Sequence, residues 1–175
     1  KLGNDPEGQA YRKYLTRSGL QAQGILLDRK APTGMALIEL APGGENRIVV
    51  VPGANDALAA EDLGELSPLW KDAAVFVTQM EIPLPTVHSA LRTARRRGVR
   101  TLLNPAPARS LPDELIALAD YLIPNETELS LLTCTEVKDV PSAGQAARSL
   151  LERGVKNVIV TLGSKGALIV NREKS

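Results

Sequence analysis

Two hydrophobic rhythms run along this chain. From residue 73 onward, short apolar runs alternate with stretches whose apolar residues fall three and four apart. Ala73–Thr78, Arg100–Leu103, Tyr121–Ile123 and the β-branched run Val158-Ile159-Val160 read as strands, the first as a buried one. Between them, Pro85–Arg97 carries Val87, Leu91 and Ala94 on one helical face, Ser110 with Asp113 makes a capping-box start for a helix through Leu118, and Asn125 opens another. Ser142 caps a further helix whose Ala143, Ala146, Ala147, Leu150 and Leu151 form an inward stripe, and Gly154 stops it. Such alternation implies right-handed crossovers, so the expected fold class is α/β, a mainly parallel sheet with helices on both faces.

The earlier part of the chain follows a different pattern. Gly8–Leu20 has Ala10, Tyr14 and Leu15 at helical spacing and ends at Gly19; Gly24–Asp28 looks extended; Ala59–Leu66 reads as helix. Met35–Leu40 and Arg47–Val51 flank Ala41-Pro42-Gly43-Gly44-Glu45-Asn46, which predicts a hairpin with a longer loop. A two-stranded ribbon with partly apolar arms is marginal in water, so it is expected to cover a site or to pair with another chain. Lys1 leads straight into Gly3-Asn4-Asp5-Pro6-Glu7-Gly8 without a start Met or a signal-like stretch, and Ala167–Val170 reads as a last strand close to Ser175. The chain therefore reads as a piece of something longer.

Composition narrows the function. A chain of 175 residues falls in the single-domain range. Lys and Arg number 21 against 20 Asp and Glu, and aromatics make up 3%, so neither a global field nor a set of stacking platforms favours nucleic acid. Cys134 stands alone, which rules out an intrachain disulfide and a cysteine zinc site and fits a reducing cytoplasm. No apolar run approaches the ~20 residues that span a bilayer, so no membrane is expected.

Each predicted strand of the alternating part ends in polar residues: Thr78-Gln79-Met80-Glu81, Asn104, Asn125-Glu126-Thr127-Glu128, and Thr161 followed by Gly163. Carboxyl ends of parallel strands gather along one edge, where α/β sheets bind ligands. Glu81 reads either as an ordinary loop carboxylate or as a ligand contact. Asn125-x-x-Glu128 is either a helix cap or a carboxylate near hydrated Mg²⁺, which needs one or two carboxylates and keeps most of its waters. Thr161-x-Gly163-x-x-Gly166 is either a turn between strands or a segment whose amides and hydroxyl line a nucleotide's phosphates. Arg95-Arg96-Arg97 offsets a helix-end dipole, His88 reads as surface or packing, and no P-loop, dinucleotide fingerprint or nucleophile elbow occurs.

In these pieces, with Gly3-Asn4-Asp5-x-x-Gly8, Thr33-Gly34-Met35-Ala36, Gly44-Glu45-Asn46-x-Ile48, Pro52-Gly53-Ala54-Asn55, Gln79-Met80-Glu81, Leu103-Asn104-Pro105-Ala106-Pro107-Ala108 and Pro124-Asn125, the chain resembles the ribokinase branch of the PfkB carbohydrate kinases, in the family's order. The resemblance covers a little over half of a typical member. It implies a ribokinase-like fold in which residues 1–175 form part of one domain and residues 23–55 contribute lid strands. It also implies ATP-dependent phosphorylation of a small sugar, ribose to ribose 5-phosphate, with Mg²⁺ and a monovalent cation, K⁺. By the same resemblance Glu81 contacts the sugar and Glu128 serves the metal. Asn125, Thr161, Leu162, Gly163, Ser164, Lys165 and Gly166 bind the nucleotide, and the lid strands pair two subunits. The family's glycine-rich sugar segment and its Gly-Ala-Gly-Asp anion hole, which carries the catalytic base, do not stand in this sequence; Gly53-Ala54-Asn55-Asp56 only imitates the second, and Asp56 is not assigned as the base. The 175 residues alone are therefore expected to be inactive, and the alternative expectation is a non-catalytic fragment that binds nucleotide or dimerises.

Overall fold

The first helix starts at a carboxylate. Asp5 lies in extended backbone and its Oδ1 accepts the Gly8 N–H at 2.7 Å, so α1 (Pro6–Arg17) begins with Pro6 in its first turn rather than at Gly8. It ends at Ser18, before Gly19 at φ 92°. This structure, a computed structural model, describes residues 1–43 and 46–172. Its Cα positions fall into two units: Lys1–Leu69 with Glu81–Thr86, and Trp70–Met80 with the residues from Val87 onward.

In the first unit, β1 (Leu2–Gly3) runs parallel to β2 (Leu27–Asp28). Lys1 holds this corner by ion pairs to Asp28 at 3.2 Å and Asp62 at 2.8 Å. The expected hairpin is present as β3 (Met35–Leu40) and β4 (Asn46–Val51), paired antiparallel from Met35↔Val51 to Leu40↔Asn46. Gly44 and Glu45 of its loop lie outside the described residues. This register puts Met35, Leu37, Val49 and Val51 on one face and Ala36, Ile38, Ile48 and Val50 on the other. The large apolar side chains of both faces are half exposed or more, from 49% at Val51 to 75% at Leu40. The helix expected over Ala59–Leu66 is instead a single 3₁₀ turn, Glu61–Gly64, with further 3₁₀ turns before and after it at Gly53–Asn55 and Ser67–Trp70. Gly64 weakens a helix there, and Pro68 lacks the N–H to continue one and disfavours helical backbone at Ser67.

The second unit holds a five-stranded sheet in the order β5 (Val75–Thr78), β6 (Arg100–Leu103), β7 (Tyr121–Leu122), β8 (Asn157–Thr161), β9 (Ala167–Asn171). The first four strands are parallel and β9 is antiparallel to β8. The helices are α2 (Leu84–Arg96, whose first turn groups with the first unit), α3 (Asp113–Ile116), α4 (Glu126–Thr133) and α5 (Val140–Glu152). Leu103, Leu122, Val158 and Val160 from the strands, and Val87, Leu91, Leu129, Ala147 and Leu150 from the helices, are fully buried. Each such Leu or Val contributes roughly 1.5–3 kcal/mol. This is the mainly parallel α/β sheet flanked by helices that the alternation implied.

Three details differ from expectation. β5 is an edge strand of this sheet, and Val75 and Val77 on one of its faces are 42% and 66% exposed. α3 is one turn long, opened by Pro112 in extended backbone without a side-chain cap, so Ser110 does not cap it. Asp139, not Ser142, caps α5: its Oδ1 accepts the Ser142 N–H at 2.8 Å, and Ser142 Oγ accepts the Asp139 N–H at 3.0 Å. Pro141 in the first turn fixes that start.

At the other end of α4, Cys134 occupies left-handed backbone (φ 51°, ψ 32°). A non-glycine residue costs about 1–2 kcal/mol there, and glycine returns part of that as unfolded-chain entropy. Cys134→Gly is therefore expected to raise stability by about 0.5–1 kcal/mol, read as a higher urea midpoint at unchanged slope.

Candidate functional site

The carboxyl ends of β7 and β8 meet. After β7 the chain reaches Pro124 and Asn125, and after β8 it reaches Thr161; Asn125 and Thr161 form a parallel bridge, and the Thr161 N–H donates to Pro124 O at 2.9 Å. Both expected readings of Asn125-x-x-Glu128 depend on this corner. The capping reading is present in full. Asn125 Oδ1 accepts the Glu128 N–H at 2.8 Å, Glu128 Oε2 accepts the Asn125 N–H at 2.9 Å, and Asn125 Nδ2 donates to Glu128 Oε1 at 3.0 Å. Glu128 is 7% exposed, so a carboxylate is held under the rim with both oxygens on Asn125, while Asn125 itself is exposed.

The segment after Thr161 is a turn built on glycine backbone. Gly163 has φ 56° and Gly166 φ 86°, the Leu162 N–H donates to Gly166 O at 2.8 Å, and β9 follows. A Cβ at either glycine would meet no atom within 4 Å, so these glycines are required by backbone angle and leave open space above the turn. Thr161, Gly163, Ser164, Lys165 and Gly166 are exposed. Leu162 is 5% exposed and sits in the core, so it has only backbone to offer a ligand.

The ends of β5 and β6 are joined as well. The Asn104 N–H donates to Thr78 O at 2.9 Å and the Met80 N–H to Ala106 O at 2.8 Å, while the Arg109 guanidinium donates to Met80 O. Met80 is fully buried and fixes where the strand exits. Pattern reading missed Arg109 because a cation on an irregular loop carries no periodic signal. Glu81 follows Met80, is exposed, and heads the segment Glu81–Thr86 that groups with the first unit. Asn125, Glu128 and the turn at 161–166 thus share one corner of the second unit.

Among the described residues no cluster of three or more His, Cys, Asp or Glu stands ready to hold a metal. A single buried carboxylate under an exposed amide suits a hydrated Mg²⁺ that takes most of its ligands from water and phosphates, and does not suit an all-protein cage. No described helix is long and apolar enough to cross a membrane.

The pieces that matched a family by sequence also converge in the first unit. Thr33 donates its N–H to Asp5 Oδ2 and its hydroxyl to Asp5 Oδ1, each at 2.6 Å, and accepts the Gly3 N–H at 3.0 Å. Pro32 O accepts the Ala54 N–H at 2.7 Å.

Comparison with known proteins agrees with this architecture. The family model for pfkB family carbohydrate kinases matches residues 1–175. The chain is 36% identical over 174 residues to a ribokinase of Haemophilus influenzae, covering 99% of this chain and 57% of that protein. It is 38% identical over 175 residues to a deoxyribokinase of Salmonella typhi, at 99% and 57% coverage. It superposes on the structure of Arabidopsis thaliana ribokinase complexed with ribose and ATP with a TM-score of 0.86 at 30% identity, covering 99% of this chain and 57% of that one. The chain thus spans a little over half the length of these relatives.

Proposed function

Because the chain belongs to the pfkB family of carbohydrate kinases, we propose that it supplies the ribbon, the sugar-facing Glu81 and the nucleotide-facing rim of an ATP-dependent kinase that converts ribose to ribose 5-phosphate. The observation that carries this reading is the bridge between Asn125 and Thr161, with Glu128 beneath it. Phosphoryl transfer asks a protein mainly for positioning and electrostatics. Here the Thr161 hydroxyl and the amides of Gly163 and Ser164 orient the phosphates over open space, while the N–H groups of Leu162, Lys165 and Gly166 donate to Gly166 O, Leu162 O and Gly163 O and hold the turn in shape. Glu128 holds the Asn125 amide at that rim, and its charge favours a hydrated Mg²⁺ close by, which supplies neutralisation of the phosphates when bound. Glu81 accepts from a sugar hydroxyl. The half-exposed apolar faces of the ribbon support one covering the sugar and one pairing with a second copy of the chain. ATP as substrate and an exposed lone Cys134 are in keeping with the cytoplasm.

The test is a chimera in which residues 1–175 replace the matching region of the Haemophilus influenzae ribokinase, assayed with ATP, Mg²⁺ and K⁺. Ribose-dependent ADP formation is expected, at a higher kcat/KM than with deoxyribose. A folded chimera that turns over neither sugar sinks the reading, and preference for deoxyribose corrects the substrate. The second reading, a non-catalytic pairing module, draws on the same exposed ribbon; it gains if the 175-residue chain dimerises through β3 and β4 yet gives no calorimetric heat with an ATP analogue.

A further inference from the structure

We propose that Asp5 and Thr33 are positioning residues: the Asp5 carboxylate fixes the root of the β3–β4 ribbon and so sets the angle at which the ribbon stands. That the angle matters for a sugar rests on the function proposed above; the fixing of the root does not.

The ribbon has little cover of its own, since its large apolar side chains are half exposed or more on both faces. Its pose therefore depends on its root, where Thr33-Gly34 enters β3 and Pro52-Gly53 leaves β4. Those two crossings touch backbone to backbone: a Cβ on Gly34 would lie 2.5 Å from Pro52 O, and one on Gly53, at φ 54°, would lie 2.4 Å from Pro32 O. A root this tight transmits any change in Thr33 to both arms. Thr33 is held from 28 residues away by two hydrogen bonds to Asp5, both at 2.6 Å.

The chemistry of this contact selects a carboxylate. Oδ1 accepts from Gly8 and from the Thr33 hydroxyl, and Oδ2 accepts from the Thr33 N–H, so acceptors are needed on both oxygens. The Thr33 hydroxyl, then its N–H, then the Gly8 N–H hold the Asp5 carboxyl below its ordinary range, so the contact stays charged at neutral pH. One carboxylate thereby caps α1 and anchors the ribbon. The leverage is large. A six-residue strand is roughly 20 Å long, so a rotation of about 10° at the root moves the tip by about 3.5 Å. A misplacement of about 1 Å at a reacting centre can cost about 10²-fold in rate.

Asp5→Asn isolates the effect. Asparagine is as good a helix cap as aspartate, and its oxygen can keep Gly8, but its amide then presents a donor to the Thr33 N–H. Asp5→Ser also caps the helix and is too short to reach Thr33. The experiment uses the 175-residue chain with spin labels at Arg17→Cys and Leu40→Cys in a Cys134→Ser background, and reads the distance distribution by electron–electron resonance. A single narrow distance is expected without a change at Asp5, and at least a twofold broader one with either Asp5 variant, with helical circular dichroism unchanged. A broad distribution before any change at Asp5, or an unchanged width in Asp5→Asn, overturns the proposal. In the chimera, Asp5→Asn is expected to raise the KM for ribose about tenfold or more while the KM for ATP stays within about twofold. A KM for ribose that does not move, in an active chimera, overturns the positioning role. Broadened distances beside a chimera that phosphorylates no sugar would leave the root as proposed and remove only the proposed function.

Discussion

Gly8→Ala is expected to lower stability by about 2–3 kcal/mol, against the direction that helix propensity predicts. Gly8 is the third residue of α1, and alanine in a helix interior is ordinarily worth about 1 kcal/mol over glycine. Here the added Cβ would lie 2.1 Å from Gly3 O and 2.6 Å from Thr33 Oγ1. The first of these neighbours is backbone of β1, which pairs with β2 and cannot step aside without giving up that register. Overpacking of this kind costs about 1–3 kcal/mol, and displacing the Thr33 hydroxyl also strips a bond from Asp5. Gly64→Ala is the control, because a Cβ there meets nothing within 4 Å, and its effect should stay within about 1 kcal/mol. Urea unfolding monitored by circular dichroism decides the matter. A Gly8→Ala chain as stable as its parent, or more stable, would mean that α1 does not cross β1 as closely as described.

How much of this was readable beforehand depends on the range of the interaction. The order of strands and helices beyond residue 73 was legible, because period-2 and period-3.6 burial are local signals and Leu103, Leu122, Val158 and Leu150 all reached the core they pointed to. Boundaries failed where two residues competed for one job. Asp139-x-x-Ser142 offers two capping side chains, and the carboxylate took the outer place because Pro141 needs the first turn. Ser110-x-x-Asp113 has the spacing of a capping box, yet Pro112 sets its own backbone and starts the helix instead. The buried reading of Ala73–Thr78 failed on Val75 and Val77, because an apolar run reveals hydrophobicity and not whether a neighbour covers it. At the candidate site, Asn125 and Glu128 were visible as a pair, while the bridge from Asn125 to Thr161 depends on β7 and β8 being neighbours, which no local pattern states. The bonds from Asp5 to Thr33 span 28 residues, so the motif was visible as letters and its purpose was not.

Glu128→Gln in the chimera is expected to lower kcat by about 10²–10³-fold, the scale of removing one preorganised electrostatic group from a transition state. The variant changes little else. Glutamine keeps an oxygen for the Asn125 N–H, and the Glu128 N–H still reaches Asn125 Oδ1; what is lost is the contact with Asn125 Nδ2, where two donors now face each other. That structural loss is about 1 kcal/mol, a few degrees in thermal midpoint at most for a protein of this size. A capping role predicts only the small loss of stability; a role beside phosphates and Mg²⁺ predicts the large loss of rate and a rise in the Mg²⁺ concentration needed for half-maximal activity. Glu128→Asp separates the two further, since it keeps the charge but is one methylene too short to hold Asn125 as Glu128 does. If charge near the phosphates is what matters, Asp retains more activity than Gln; if the hold on Asn125 is what matters, Asp falls at least as far as Gln. A Gln variant within about tenfold of its parent, at unchanged Mg²⁺ dependence, would leave Glu128 as a cap and nothing more.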